Sequence, residues 1–294
     1  MKSQNFMESS IILMQSRKEI IFAVTWSASL ASIIAGKGFP PVVKSLTAIM
    51  ATMLIVISVY IYNDVVDRDM DAYSNQDKKK ARPIANGKVP VNHALFFVYL
   101  TGLIGLGACL TLNLTAFSVG LIYYIMVYLY SYPKVRFKTM MILKNLVTAL
   151  LMPTAFLISS AAIENKISFS MALISATYYM FTVLAQPAIA DMLDYEEDKA
   201  FNVKTIGNTL SWKQDLSLYN IGIAVMIVSN ILSYAMFGFN IIVPVLTTLL
   251  CVYLMAYSYN LREQSGITAS YKLRPITYSL ILLNPLLLAI GTII

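Results

Sequence analysis

Long apolar runs alternate with short polar joints along the whole 294-residue chain. Runs long enough to cross a bilayer, about 17–25 residues each, fall at 19–36, 42–62, 93–111, 114–132, 142–161, 168–190, 216–237, 239–259 and 276–294. The stretches 93–132 and 216–259 are divided only by tight joints at Leu112-Asn113 and Gly238. The pattern predicts one all-α integral-membrane domain over 1–294, a polytopic bundle of about nine transmembrane helices. The first 18 residues are polar and mixed, and no small-residue cleavage site follows the first run, so no cleavable signal is expected. Pro153, Pro187, Pro244 and Pro285 lie inside apolar runs and are expected to kink them.

Composition agrees with the pattern: 58% of residues are hydrophobic and 13% charged, where a soluble domain carries about 25% charged residues. The formal net charge of +7 is unevenly placed. One set of joints holds Lys2, Arg17, Lys18, Arg68, Lys78, Lys79, Lys80, Arg82, Lys88, Lys134, Arg136, Lys138, Lys144, Lys199, Lys204, Lys213, Arg262, Lys272 and Arg274. The alternate set holds only Lys37, Lys44 and Lys166. The positive-inside rule then puts the N-terminus in the cytoplasm and, after nine spans of a plasma or inner membrane, the C-terminus outside. Topology accounts for the basic charge, so no nucleic-acid partner is expected. Cys109 and Cys251 fall inside apolar runs and read as packing residues.

The acids are more selective. Ten of the fifteen lie between Asp64 and Asp77 or between Asp191 and Asp198. Both groups carry Asp-x-x-Asp-x-x-x-Asp, at Asp64/Asp67/Asp71 and at Asp191/Asp194/Asp198, just after the second and sixth runs. Four intervening spans return the chain to the same side, which suggests parallel four-helix halves over 1–139 and 140–260 with a final helix at 276–294. On a helix, residues i, i+3 and i+7 share one face, so each group forms a carboxylate stripe, with Asn63 adding a neutral oxygen four residues before Asp67. Asp69, Glu196 and Glu197 point elsewhere. Clustered carboxylates at the mouth of a membrane bundle are costly unless a cation binds them. Oxygen-only ligands favour a hard ion such as Mg²⁺, which commonly completes its shell with substrate phosphates; zinc chemistry is not expected.

Bases accompany the acids: Arg82, Lys134, Arg136, Lys199 and Lys204 lie in the same joints. Carboxylates for Mg²⁺ beside Lys and Arg for anionic oxygens describe a diphosphate site. No glycine-rich phosphate loop points to a nucleotide triphosphate. A diphosphate whose other end must enter a membrane bundle is more naturally a polyprenyl diphosphate than a nucleotide.

At these residues the chain resembles the UbiA-type intramembrane prenyltransferases. Their Asn-Asp-x-x-Asp-x-x-x-Asp pattern is matched at Asn63, Asp64, Asp67 and Asp71, and their second motif at Asp191, Asp194 and Asp198. Arg82-Pro83-Ile84, Tyr132-Pro133-Lys134-Val135-Arg136 and Lys199 through Lys204-Thr205 resemble further family segments. The resemblance implies two Mg²⁺ ions between the aspartates and the diphosphate, with basic residues taking up charge as the allylic C–O bond breaks. The four catalytic candidates are Asp67, Asp194, Lys134 and Arg136. It also implies a small acceptor, a glycerophosphate ether or an aromatic ring, in ether-lipid or prenylquinone biosynthesis. The second motif is similar to the ether-lipid and homogentisate branches, although Gln186-Pro187-Ala188 replaces their charged step.

Other residues carry two readings. Tyr123, Tyr124, Tyr128, Tyr130, Tyr178 and Tyr179 either present π-faces to an allylic cation or form packing and interfacial belts; Tyr132 joins Tyr130 as an acceptor or cation candidate. Arg17 is a topology signal or a site residue, and Asn145 a site residue or interhelical glue. His93 is expected at the interface. Two alternative functions remain, a cyclase of the same superfamily and a cation-coupled membrane transporter, whose acids would sit nearer the midplane.

Overall fold

The computed structural model describes residues 5–74, 77–200 and 203–294. Lys2 and the side chains of Lys78 and Glu197, all named above, lie outside the described residues. The helices in chain order are α1 Phe6–Ser16, α2 Lys18–Ala35, α3 Val42–Val66, α4 Arg68–Tyr73, α5 Asp77–Lys80, α6 Val91–Leu112, α7 Leu114–Ser131, α8 Met141–Thr148, α9 Leu151–Glu164 and α10 Phe169–Gln186. A π-helical turn, Pro187–Asp191, extends α10 and is followed by α11 Tyr195–Ala200, α12 Ile206–Thr209, α13 Trp212–Phe237, α14 Ile242–Asn260 and α15 Gly266–Ile293. Among the described residues nine segments are long and apolar enough to span a membrane, α8 with α9 and α10 with its π-turn each counting as one.

The apolar pattern located every span but not every end. The polar-looking start is a helix: Asn5 caps α1 by accepting from the Glu8 N–H at 2.8 Å, and Leu13 packs beneath it against Phe97 and Val98 of α6. The last span begins at Gly266, ten residues before the expected 276, because Ser265 caps a turn whose Lys272 and Arg274 conceal it from an apolar count. The span holding Pro153 is interrupted at Ala149-Leu150, between α8 and α9, as expected, whereas Pro244 produces no mid-helix break. Each lies in the first turn of its helix, where the missing N–H has no partner to lose.

The spans adhere through small and hydroxyl-bearing side chains, as expected where lipid removes the hydrophobic drive between helices. Ser159 of α9 donates to the Ala28 carbonyl of α2 at 3.2 Å. In the second half, Tyr178 donates to Asn284 at 2.6 Å, and the Asn284 amide donates to Asn230 and Thr247 at 3.0 and 2.9 Å. One core cluster gathers α2, α10, α13, α14 and α15; two others fill the first half around α3, α6 and α7 and beneath α1. Apolar side chains such as Phe39, Leu103, Ile122 and Leu249 remain exposed around the outside, which is the surface a multi-pass membrane protein presents to lipid. Lys44 on α3 donates to Asn165 in the α9–α10 joint at 3.1 Å, joining two of the sparsely charged loops at the end remote from the acids.

Candidate active site

Both acidic groups sit at one end of the bundle, and neither lies on an unbroken α-helix. α3 stops at Val66, Asp67 occupies the junction at φ −91° and ψ 4°, and α4 resumes at Arg68. The junction still preserves helical bonding, from the Asp67 N–H to the Asn63 carbonyl at 2.9 Å and from the Asp71 N–H to the Asp67 carbonyl at 2.8 Å. The expected common face therefore survives the break. In the second group Asp191 ends the π-turn, Asp194 follows in a bend, and the Asp198 N–H reaches the Asp194 carbonyl at 2.8 Å. Asp69 and Glu196 face solvent.

Each stripe aspartate is matched by a base. Asp64, 2% exposed, is bound by Arg17 through both carboxylate oxygens and lies 3.2 Å from Arg82. Arg82 also donates to Asp71 at 2.6 Å. Lys138 pairs with Asp67, which accepts from the Asn63 amide at 2.9 Å. In the second group Lys144 bridges Asp191 at 3.0 Å and Asp198 at 3.2 Å. Lys79, contributed by α5, reaches across to Asp194 at 3.2 Å. The Asn145 amide stands 3.4 Å from Asp191, while its carbonyl oxygen is buried without a partner.

These groups enclose a cavity of about 350 Å³ whose wall includes Asn63, Asp67, Asp71, Lys79, Arg82, Tyr130, Arg136, Lys138, Lys144, Asp194 and Asp198. Asn63 and Tyr130 are shared with a second chamber of about 130 Å³, lined further by Val59, Tyr60, Tyr123, Val127, Val147 and Thr148. A charged chamber thus stands beside an aromatic and aliphatic one, with Asn63 and Tyr130 in both walls. Burial pushes the Asp71 and Asp198 carboxyls up to about 6, against the opposing pull of Arg82 and Lys144 respectively. Burial also lowers Lys138, with Asp67 opposing. Among the described residues no three acids, histidines or cysteines converge on a single point as a preformed metal cage.

The structure divides the basic candidates: Arg82 and Arg136 line the cavity and the others do not. Lys134, Lys199 and Lys204 are exposed and do not line the cavity. The chain turns sharply at Arg136, whose φ is +50°, leaving Lys134 outside and bringing Lys138 in. Lys199, one position beyond Asp198 on α11, lies over the Tyr195 ring instead, 5.9 Å from its centroid. Lys79, Lys138 and Lys144 line the cavity instead. Lys144 carried a signal, since it precedes Asn145 at the head of a span; Lys79 and Lys138 lay in basic runs with nothing to single them out. Of the tyrosines, Tyr123 and Tyr130 line the inner chamber together with the unforeseen Tyr60. Tyr178 belongs to the second-half core, and Tyr132 stacks on Tyr128 at 5.7 Å. Sequence reading also missed Asp215, whose fully buried carboxylate oxygens have no hydrogen-bond partner. His93 accepts or donates at 2.9 Å to Ser9 of α1.

Known proteins resemble this arrangement in sequence and in fold. The chain is 25% identical to a digeranylgeranylglyceryl phosphate synthase of Sulfurisphaera tokodaii over 68% of its own length and 69% of the relative's. It is 29% identical to a 4-hydroxybenzoate octaprenyltransferase of Shewanella loihica over 40% and 41% of the two chains. A solved structure of digeranylgeranylglyceryl phosphate synthase superposes with a TM-score of 0.81 at 18% identity, covering 99% of each chain. A UbiA homolog from Archaeoglobus fulgidus bound to DMAPP and Mg²⁺ gives 0.66 at 18% identity, covering 89% of this chain and 97% of that one. The UbiA family pattern itself matches residues 24–281, nearly the whole bundle, and the chain is a member of the UbiA prenyltransferase family.

Proposed function

We propose that the protein transfers a prenyl group from a polyprenyl diphosphate to a small acceptor, with Mg²⁺, at the cytoplasmic end of the bundle. The observation that carries this reading is the adjacent pair of chambers that share Asn63 and Tyr130: carboxylates and bases in one, tyrosines and valines in the next. A diphosphate suits the first and an isoprenoid chain the second. An excess of Lys and Arg on the joints at that end supports the cytoplasmic orientation.

The donor set suits Mg²⁺. It is oxygen only, and a buried Asn145 carbonyl without a partner lies beside Asp191. Asn63, Asp64, Asp67, Asp71, Asp191, Asp194 and Asp198 are the candidate ligands, divided between two ions. Because these carboxylates do not form a closed cage, substrate oxygens would complete each shell. When bound, Mg²⁺ would withdraw electron density from the diphosphate as it leaves.

The remaining work falls to the chain itself. Arg82, Lys79, Lys138 and Lys144 neutralise the aspartates in the substrate-free protein. On substrate entry they turn to the diphosphate oxygens, which both releases the carboxylates and stabilises the departing charge. Arg136 completes that cluster. The allylic C–O bond breaks and the diphosphate keeps the electron pair; a nucleophilic atom of the acceptor bonds the allylic carbon and releases its proton. Tyr60, Tyr123 and Tyr130 flank the allylic end and offer π-density to the developing cation, while the apolar wall excludes the water that would quench it.

A glycerophosphate-ether acceptor is favoured over an aromatic one, because the similarity to the Sulfurisphaera synthase extends over more of the chain. Purified protein should be incubated with prenyl diphosphates of graded length and a panel of glycerophosphate ethers and hydroxybenzoates, and the products weighed by mass spectrometry. A product of prenyl plus ether mass is expected. A cyclised hydrocarbon with no acceptor consumed would replace this reading with the cyclase.

A further inference from the structure

We propose that Ser270 and Gly207 are positioning residues for the second aspartate group, acting by clamping the π-turn that aims Asp191. This rests on the proposed metal role of that group. In an ordinary α-helix the Met192 N–H would bond the Ala188 carbonyl four residues earlier. Here it bonds Pro187, five residues earlier, at 3.1 Å, so the Ala188 carbonyl is released. A buried carbonyl without a partner is costly, and the released one is met by the Ser270 hydroxyl of α15 at 2.6 Å. That hydroxyl has one proton, and its other neighbour, the Gly266 carbonyl of its own helix, is farther at 2.8 Å. Ser270, Ala188 and Asp191 are all fully buried, so water cannot substitute.

The opposite side of the turn is held by contact. α12 brings Gly207 so close that a Cβ there would stand 2.7 Å from the Asp191 Cβ, 3.1 Å from its carbonyl carbon and 3.1 Å from the Met192 nitrogen. Two of those atoms are backbone and cannot yield without moving the aspartate. The turn is thus pinned between α12 and α15 by groups that touch no ligating atom. Relaxing it to α-helical register would remove one residue from the turn and rotate Asp191 by about 100°, away from Lys144 and Asn145. π-turns of this kind recur at functional sites, and partners behind a metal ligand typically change affinity by about 10–100-fold.

The test compares wild type with Ser270→Ala and Gly207→Ala. Two controls accompany them: Ser279→Ala, an exposed α15 hydroxyl bonded within its own helix, and Gly107→Ala, which faces open space. Protein-bound Mn²⁺ is titrated by electron paramagnetic resonance in the presence of an inert geranylgeranyl thiolodiphosphate, alongside thermal unfolding and the Mg²⁺ dependence of turnover. Both site variants should weaken Mn²⁺ binding about tenfold or more and raise the Mg²⁺ concentration for half-maximal turnover, with kcat at saturating Mg²⁺ within about threefold of wild type; the controls should match wild type. Site variants that unfold at lower temperature yet bind Mn²⁺ like wild type would overturn the inference, leaving the metal reading intact. Wild type that takes up no Mn²⁺ would remove both.

Discussion

Replacing Asp67 with asparagine removes one carboxylate charge from the cavity wall and leaves the volume almost unchanged. Two effects follow and can be separated. Lys138, 12% exposed, loses the partner it has in Asp67, itself 13% exposed. Breaking a fully buried pair costs about 3–5 kcal/mol and an exposed one about 0–1 kcal/mol; a pair of this intermediate burial should cost about 2 kcal/mol of stability. Turnover should fall at least a hundredfold, about 3 kcal/mol of transition-state stabilisation, because a candidate ligand is gone. The double variant Asp67→Asn/Lys138→Met should recover most of the stability, since no unpaired charge remains, and none of the turnover. Asp69→Asn is the comparison: its side chain is 79% exposed and pairs with exposed Arg68, so turnover should drop less than about tenfold. Asp194→Asn and Glu196→Gln should repeat the contrast in the second group. Thermal unfolding in detergent and initial rates of diphosphate release supply both readings. Equal losses at Asp67 and Asp69, or activity regained by the double variant, would refute the assignment of the stripe.

Lys144 bridges two aspartates and Lys134, among the described residues, none, so Lys144→Ala should raise KM for the prenyl diphosphate and cut kcat/KM by about a hundredfold, while Lys134→Ala and Lys199→Ala stay within a few-fold of wild type in the same assay. Asp71 and Asp198 titrate at about 6, so protons should compete with Mg²⁺ as pH falls through about 6, and the acid limb of the rate profile should move lower at saturating Mg²⁺. The sign for folding is opposite: the metal-free folded chain holds protons that the unfolded chain, with its ordinary carboxylate value of 3.8, has released, so these groups add stability as pH falls from about 6 towards 3.8. Thermal unfolding in chelator across that range checks it. Single cysteines at Lys134 and Lys199, with Cys109 and Cys251 replaced, should label only from the cytoplasmic side.

The spans and the two aspartate groups were legible because both are repeated, period-bound patterns: apolar length for the bilayer, and a 3-4 spacing that keeps three carboxylates on one face. That face outlasted a break at Asp67 the pattern could not reveal, since the junction preserves the i-to-i+4 bonds on either side. The bases were legible as a class and not as individuals. A lysine on a loop reaches its partner through the turn geometry, and the left-handed conformation at Arg136, which exchanges Lys134 for Lys138, has no glycine to announce it. Lys79 meets Asp194 across 115 residues of sequence, a contact only tertiary packing creates. The π-turn at Pro187–Asp191 was hidden because its evidence lies elsewhere, in a serine and a glycine on other helices. α1 was overlooked because its exposed Glu8, Gln15 and Ser16 dilute the apolar count, and of its two fully buried residues, Ser9 and Leu13, one is polar.

Diphosphate release by the purified protein tests the central claim most directly, measured with geranylgeranyl diphosphate and a glycerophosphate-ether acceptor, first with Mg²⁺ and then with excess EDTA. The account predicts release in step with prenylated product when Mg²⁺ is present, and none once EDTA has removed it. Undiminished release in EDTA would contradict a metal site built from the two aspartate groups.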